Sequence, residues 1–360
     1  MKMNKINLIC PVNKLSYGYV SINILKELMK LHEVALFNLN EIKDDDVEDE
    51  NKILIHQALS NRERSDPYAP TLIIWHQFDL IKQKIFKGKH FAFPIFEVNS
   101  LTPNEVKHLE SMDGIFVTSE WYKKIVNKYC NVPCSVAKLG CSFEPELHPD
   151  KLVRNLKDTN FLVAGKWEIR KGQKEIIDCF NKVFYKTSAV KLNLLCHNGF
   201  IGAKENKKWE DYAKNSKLGS KINILPRLKS HEDVRNLMLK NHFGVFTSKA
   251  EGWNMELHEM MKLDKPCIAT NYSAHTEYCT PQNSYLVEIN EEEAAYDGIF
   301  FHGNGTWAKL GKSQLDNICD YMKDLHQKRI ADHLFYGISE SIGGLTWKNS
   351  ALSISEYLTT

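Results

Sequence analysis

The chain has 360 residues, 43% of them hydrophobic and 26% charged, with 47 basic against 45 acidic side chains and a formal charge of +2. That length exceeds the roughly 250–300 residues at which single cores stop growing, so two domains are expected. The composition excludes a disordered or fibrous chain; the charge neither implies nor excludes a nucleic-acid partner; and without a membrane-length apolar run or an apolar leader, a cytoplasmic protein is expected.

Taken in order, Ile6 to Cys10 reads as a buried strand, Pro11 to Tyr19 as a loop, and Val20 to Leu31 as an amphipathic helix with apolar residues at helical spacing. Gly18, in that strand-to-helix turn beside Tyr17, either lets backbone approach a ligand or makes a plain tight turn. Val34 to Leu39 is a second strand. Glu41 to Asn51 reads as an acidic, solvated loop, and its Asp44-Asp45-Asp46 lacks the apolar strand end that a metal pair needs. Strands Leu72 to Trp75 and Phe91 to Phe96 end in His76 and Glu97, where α/β proteins collect functional groups. A lone His there fits a packed, hydrogen-bonded residue as well.

Asp113 to Ser119 reads as strand and helix cap, with the helix running from Glu120 toward Tyr129. A strand at Val136 to Leu139 leads into Gly140-Cys141-Ser142-Phe143 and the stretch Pro145 to Pro149, with a domain boundary near 145–158. The second half alternates again: strand Phe161 to Ala164, helix Gln173 to Tyr185, strands Lys191 to Cys196 and Ile222 to Leu225, helix His231 to Leu239, strand Phe243 to Phe246. Such alternation predicts a second doubly wound sheet. The expected division is 1–150, 151–335 and a terminal helical segment 336–360. Nine cysteines without a Cys-x-x-Cys pair read as reduced core thiols.

Three motifs carry chemistry. After strand 161–164 comes Gly165-Lys166-Trp167-Glu168-Ile169-Arg170-Lys171-Gly172, a turn rich in positive charge. After strand 243–246 comes Thr247-Ser248-Lys249-Ala250-Glu251-Gly252-Trp253-Asn254-Met255-Glu256-Leu257-His258-Glu259, with two glutamates eight positions apart at a helix opening. Then Lys265-Pro266-Cys267-Ile268-Ala269-Thr270 reads as a buried strand with Glu277 in the loop beyond it. A helix N-terminus beyond a strand's carboxyl end attracts anions, and two carboxylates about two helical turns apart can contact different parts of one elongated ligand. A surface charge run is the plain alternative for the basic turn. Gly-x-Gly-x-x-Gly and Walker loops are absent, and His258-Glu259-Met260-Met261-Lys262 lacks the second His of a zinc-protease helix.

This ordered set resembles the retaining glycosyltransferases of the GT-B fold, family 4 type, whose signature is E-x7-E. The resemblance implies an α/β protein of two facing Rossmann-like doubly wound domains with a cleft between them, and sugar transfer from a nucleotide-diphosphate donor with retention of configuration. Lys166, Arg170 and Lys171 would neutralise the diphosphate, with Arg in the family at the position of Lys166. Glu251 would hold hydroxyls of the donor sugar, Glu259 the ribose diol, and the amides of Gly252, Trp253, Asn254 and Met255 phosphate or sugar oxygens. The family usually has Gly where Asn254 stands. Pro226-Arg227-Leu228 matches its base-contacting loop. In the first domain the loop with Tyr17 and Gly18 would face donor and acceptor, and Glu97, with His76, would orient the acceptor or stabilise positive charge. Ser142 stands where an Asp or Asn is usual.

No cofactor or external metal is required on this reading, with a UDP-sugar favoured as donor and a GDP-sugar next. The acceptor is a carbohydrate or lipopolysaccharide, or, as in a bacteriophage-like branch, a hydroxymethylated DNA base; oligomeric state stays open. A DNA acceptor would need a basic, aromatic rim, for which Lys82, Lys84, Lys87 and Lys89 with Phe86, and Trp121-Tyr122-Lys123-Lys124, are candidates, as they are for a solvated face. The alternative from another class is a non-catalytic nucleotide-sugar or glycan-binding protein of the same fold.

Overall fold

The computed structural model describes residues 4–43, 47–145, 153, 156–330 and 337–358. Asp44-Asp45-Asp46 and residues 146–149 of the proline-bearing stretch lie outside them. The chain divides into two compact units, Met1–Ser142 with Gly344–Thr360, and Phe143–Gly343.

In chain order the elements of the first stretch are β1 (Lys5–Cys10), α1 (Ser16–Leu28), β2 (Glu33–Asn38), α2 (Asp49–Ser60), β3 (Thr71–Ile73), β4 (His90–Ala92), α3 (Pro103–Glu110), β5 (Gly114–Val117), α4 (Glu120–Tyr129) and β6 (Cys134–Val136). The second unit contains β7 (Thr159–Ala164), α5 (Gln173–Val183), β8 (Val190–Leu195), α6 (Ala203–Lys214), β9 (Ile222–Ile224), α7 (His231–Leu239), β10 (Phe243–Phe246), α8 (Met255–Lys262), β11 (Cys267–Asn271), β12 (Tyr285–Glu288), the hairpin β13 (Glu292–Tyr296) and β14 (His302–Ala308), α9 (Lys312–Ile330) and α10 (Ile338–Ser341). The last helix, α11 (Trp347–Leu358), belongs to the first unit.

Each unit is built on a six-stranded parallel sheet, in the order β2-β1-β3-β4-β5-β6 and β12-β11-β10-β7-β8-β9. Helices on both faces of such a sheet make its central strands apolar runs rather than alternating ones, as Ile6, Leu8, Ile9 and Cys10 show by being buried in succession. Leu8 pairs in register with Leu36 on one side and Leu72 on the other. In the second unit Phe161, Trp167, Ile176, Phe180, Leu192 and Val245 share one core; burying each such side chain is worth about 1.5–3 kcal/mol. Both sheets reverse their strand order once, between β1 and β3 and between β7 and β10. At such a switch point the loops diverge beyond the carboxyl ends and open a crevice.

Several elements differ from the sequence reading. α1 begins at Ser16, so Tyr17 and Gly18 lie in its first turn and not in a loop; ahead of the helix the Asn13 side chain accepts from Leu15 N at 2.9 Å. β4 stops at Ala92 because Pro94 cannot continue the ladder, and β6 lies at Cys134–Val136 rather than 136–139. Asp49 to Asn51, expected in a loop, open α2. α3, α6, α9, β12 and the hairpin were not anticipated.

α11 closes the first unit. Ser142 Oγ accepts from Trp347 Nε1 at 3.1 Å and from Tyr19 Oη at 2.9 Å and donates to Asn23 Oδ1 at 3.0 Å. A Cβ on Gly140 would lie 2.0 Å from Trp347 N, so only glycine admits the crossing chain. All nine cysteines are free thiols. Among the described residues no helix is long and apolar enough to cross a membrane.

Candidate active site

The switch point of the second unit is where the basic turn and the first glutamate meet. β7 feeds a turn that only glycine can open: Gly165 has φ +127°, and a Cβ on it would lie 3.2 Å from Lys171 Cε. Gly172, at φ +71°, closes the turn and caps α5, with Thr247 O 2.6 Å from where its Cβ would be. Gln173 fixes the loop between them, its Nε2 donating to Lys166 O at 2.7 Å and its Oε1 accepting from Glu168 N at 3.3 Å.

This geometry folds the charges onto one another. Arg170 lies 2.6 Å from Glu168 Oε2 and 2.9 Å from Glu251 Oε2, while Lys171 Nζ reaches Glu251 Oε1 at 2.7 Å. Lys166 Nζ lies 2.9 Å from Glu168 Oε1. Glu168, Arg170, Lys171 and Glu251 are all buried. Burial alone would raise the Glu251 carboxyl, but Arg170 and Lys171 outweigh it and hold the group far below its ordinary range. Glu168 is lowered in the same way, against its burial, by Arg170 and Lys166. Burial works to lower the Lys171 ammonium, yet Glu251 and then Glu256 raise it. Three cations against two carboxylates leave one net positive charge among these ion-paired groups.

The loop 251–254 is clamped from behind by the turn after β11. Ser273 Oγ accepts from Glu251 N at 2.8 Å, and Tyr278 Oη donates to Trp253 O at 2.6 Å. Asn254, the N-cap of α8, sits at φ +74°, in the left-handed region that asparagine and glycine tolerate best. Its Oδ1 accepts from Leu257 N at 3.3 Å and its Nδ2 lies 2.9 Å from His275 Nε2. Gly252 and Trp253 are buried, and Met255 half-buried.

Glu259 keeps different company. It is buried and lies 2.7 Å from His231 Nε2, the first residue of α7, whose ring is 4.6 Å from that of Phe143. Burial raises the Glu259 carboxyl, with His231 opposing. α7 opens with a capping box of Ser230 and Asp233, and ahead of it the β9–α7 loop carries an exposed Arg227 and a half-buried Leu228. The two glutamates thus address the two loops beside α8, one basic and one at the start of α7.

In the first unit the switch point gathers aromatic groups. Tyr17 Oη donates to Ile95 O at 2.7 Å and accepts from Ile95 N at 2.9 Å. Its ring lies 4.7 Å from His76 and 5.6 Å from Trp75, and His76 stacks on Phe78 at 5.0 Å. Burial pushes the Tyr17 hydroxyl far up, and the nearby Glu97 charge adds to that. Glu97 and His76 are half-buried. Gly18 is buried, and a Cβ on it would lie 2.3 Å from Asn13 O, so its bareness lets the first turn of α1 fit against the loop ahead of it. Of the aromatic residues in the two basic runs, Tyr122 is buried, which withdraws it from a nucleic-acid rim, while Trp121 and Phe86 are half-buried, Phe86 packing on Phe37 at 4.8 Å.

Glu168, His231, His275 and Tyr278 also belong to this site, beyond the residues expected from the sequence. The alternation Lys-x-Glu-x-Arg-Lys was the available signal for Glu168, and the Ser-His helix opening for His231. Among the described residues no group of three or more His, Cys, Asp or Glu is placed to hold a metal ion.

Residues 145–300 match the family Glycosyl transferases group 1, a stretch that contains both the basic turn and the two glutamates. No curated protein sequence matches the chain. Among solved structures it is similar to a sucrose-phosphate synthase from Thermosynechococcus elongatus, with 14% identity, 99% of this chain and 98% of that chain covered, and a TM-score of 0.71. It is similar to Anabaena HepE in complex with UDP-glucose at 16% identity, 99% of each chain and a TM-score of 0.67. The lipopolysaccharide outer core galactosyltransferase WaaB, in its apo form, aligns at 15% identity over 98% of this chain and 99% of that one, with a TM-score of 0.62. The structural likeness identifies the GT-B fold with its two Rossmann-like domains, and the family match over residues 145–300 marks the chain as a glycosyltransferase, an enzyme of sugar transfer.

Proposed function

We propose that the chain is a retaining transferase of the family 4 type that moves a sugar from a nucleotide diphosphate to an acceptor hydroxyl. The observation that carries this is the convergence of Glu251 with Arg170 and Lys171, from motifs 80 residues apart, at the β7–β10 switch point. The net positive turn suits a diphosphate, with half-exposed Lys166 and buried Lys171 as its cations. Glu251 is aligned by two cations and takes hydroxyls of the donor sugar. The amides from Gly252 to Met255 open α8 toward phosphate or sugar oxygens. Glu259, in α8 and bonded to His231 at the start of α7, takes the ribose diol, and backbone groups of 226–228 take the base.

The reaction needs no protein nucleophile. As the glycosidic bond to the diphosphate breaks, an oxocarbenium-like sugar forms, the acceptor hydroxyl adds on the same face, and the departing diphosphate takes its proton. Positive charge in the turn stabilises that leaving group, so no external metal is required. On the acceptor side Glu97 and His76 orient the hydroxyl, with Tyr17 and Gly18 shaping the loop beside them. A UDP-sugar is favoured as donor, consistent with the UDP-glucose bound by HepE, and a GDP-sugar comes next. The acceptor is a carbohydrate of the lipopolysaccharide type or a hydroxymethylated base; the burial of Tyr122 favours the carbohydrate.

Thermal shift with UDP-, GDP-, ADP- and TDP-sugars tests the donor site. A ligand bound only by the folded state raises the melting temperature with its concentration. One base class is expected to shift the wild type and not Glu259→Ala; no shift with any of the four would refute the reading.

A further inference from the structure

The hairpin β13–β14 stands outside the six-stranded sheet, yet it is firmly seated. Ala308 N donates to Lys249 O at 2.9 Å, and Lys249 Nζ bridges Glu293 at 2.7 Å and Glu175 at 3.4 Å. Trp307 is buried and donates from Nε1 to Glu293 at 3.1 Å. The connecting loop is fixed too: Asp297 Oδ1 accepts from the N–H groups of Ile299, Phe300 and Phe301 at 2.8, 2.8 and 2.9 Å.

A loop held this way presents a constant face, and that face is aromatic and meets the basic turn. The Phe301 ring is 5.8 Å from Arg170 Cζ, and the Phe300 ring 5.4 Å from Lys166 Nζ. Phe200, in the β8–α6 loop, approaches the same ammonium at 4.9 Å and meets Phe300 edge-on, centroids 6.3 Å apart at 88°. Phe200 is 60% exposed and Phe300 39%, so core packing does not account for either. Lys166 is the most exposed cation of the turn, its side chain 41% accessible against 4% for Arg170 and 9% for Lys171.

We propose that Phe200 and Phe300 form an aromatic clip that positions the Lys166 ammonium for the diphosphate of the donor; this rests on the donor-site reading above. A lysine side chain has much rotamer freedom to lose when it grips a ligand. Ring faces attract the ammonium and restrict it without cancelling its charge, whereas a second carboxylate beside Glu168 would neutralise it. Through Phe300 the hairpin is thereby a donor-positioning element, and the two ring faces of the clip are specific to the phosphates rather than to the base.

Isothermal titration of the wild type, Phe300→Leu, Phe200→Leu with Phe300→Leu, and Phe300→Tyr, against UDP and GDP and against UMP and GMP, tests this. The quantity is the preference for diphosphate over monophosphate within each variant, which a partly unfolded fraction does not alter. Loss of the ring faces is expected to reduce that preference about threefold to tenfold, while Phe300→Tyr stays within about twofold of the wild type. An unchanged preference in the double leucine variant, or an equal loss in Phe300→Tyr, overturns the clip. A wild type that binds neither diphosphate overturns the donor-site reading and the clip with it.

Discussion

Asn254 Nδ2 lies 2.9 Å from His275 Nε2, tying the residue that opens α8 to a turn 21 positions further along. The bond holds Asn254 at φ +74°. Asn254→Ala loses the cap and strains the backbone, an expected cost of roughly 2–3 kcal/mol. Asn254→Gly keeps the backbone at ease and should cost about 1 kcal/mol or less. Urea denaturation separates the two; equal losses would mean that the left-handed conformation contributes nothing.

Glu251 neutralises two buried cations. Glu251→Gln leaves Arg170 and Lys171 short of charge and should cost roughly 3–5 kcal/mol along with transfer activity. Glu251→Leu combined with Lys171→Met removes a pair instead of half of one, and should recover part of the stability but none of the activity. Thermal denaturation beside a transfer assay checks both; activity in the double variant would contradict the assigned roles.

His258 and His275 are kept neutral by burial, their pKa values lowered from 6.5 to about 3 and about 4. Trp253 Nε1 donates to His258 Nδ1 at 3.1 Å, a bond that only a ring nitrogen without a proton can accept. Below pH 6.5 the unfolded chain takes up protons that the folded chain refuses, so stability falls with falling pH, from 6.5 down to the folded values. Each group contributes up to about 1.4 kcal/mol per pH unit. Between pH 7 and pH 5 the wild type should lose more stability than His258→Leu does; parallel urea midpoints in the two proteins would dismiss the effect.

At Gly140 a methyl group would meet the backbone of Trp347. Gly140→Ala should therefore loosen α11 and cost roughly 1–3 kcal/mol. Limited proteolysis read by mass spectrometry is expected to show new early cuts between 344 and 358; an unchanged pattern would show that the crossing has slack.

Much of this fold was legible because parallel strands buried on both faces write themselves as apolar runs. Phe243–Phe246 and His231–Leu239 coincide with the elements read from residue pattern. α3 could have been read from Thr102, Pro103 and Glu105, a capping box with proline at the helix start. α6 was hidden by its many charges, and the hairpin by its glycines and exposed strands, since neither carries a long apolar period. In the site, residue types and spacing pointed to Glu251, Glu259 and the basic turn. That Glu168 folds back onto Lys166 and Arg170 depends on Gly165 and Gly172, whose positive φ values no spacing encodes.

The placement of α11 has a consequence for synthesis on the ribosome. β1 to β6 emerge first, but the helix that covers α1, with Ala351 and Ile354 buried and His32 Nε2 2.6 Å from Ser355 Oγ, emerges after the whole of Phe143–Gly343. At about 5–20 residues per second that interval is on the order of 10–40 s. For that time the nascent first unit carries an open apolar groove, so its yield in a cell depends on what shelters that groove until translation ends.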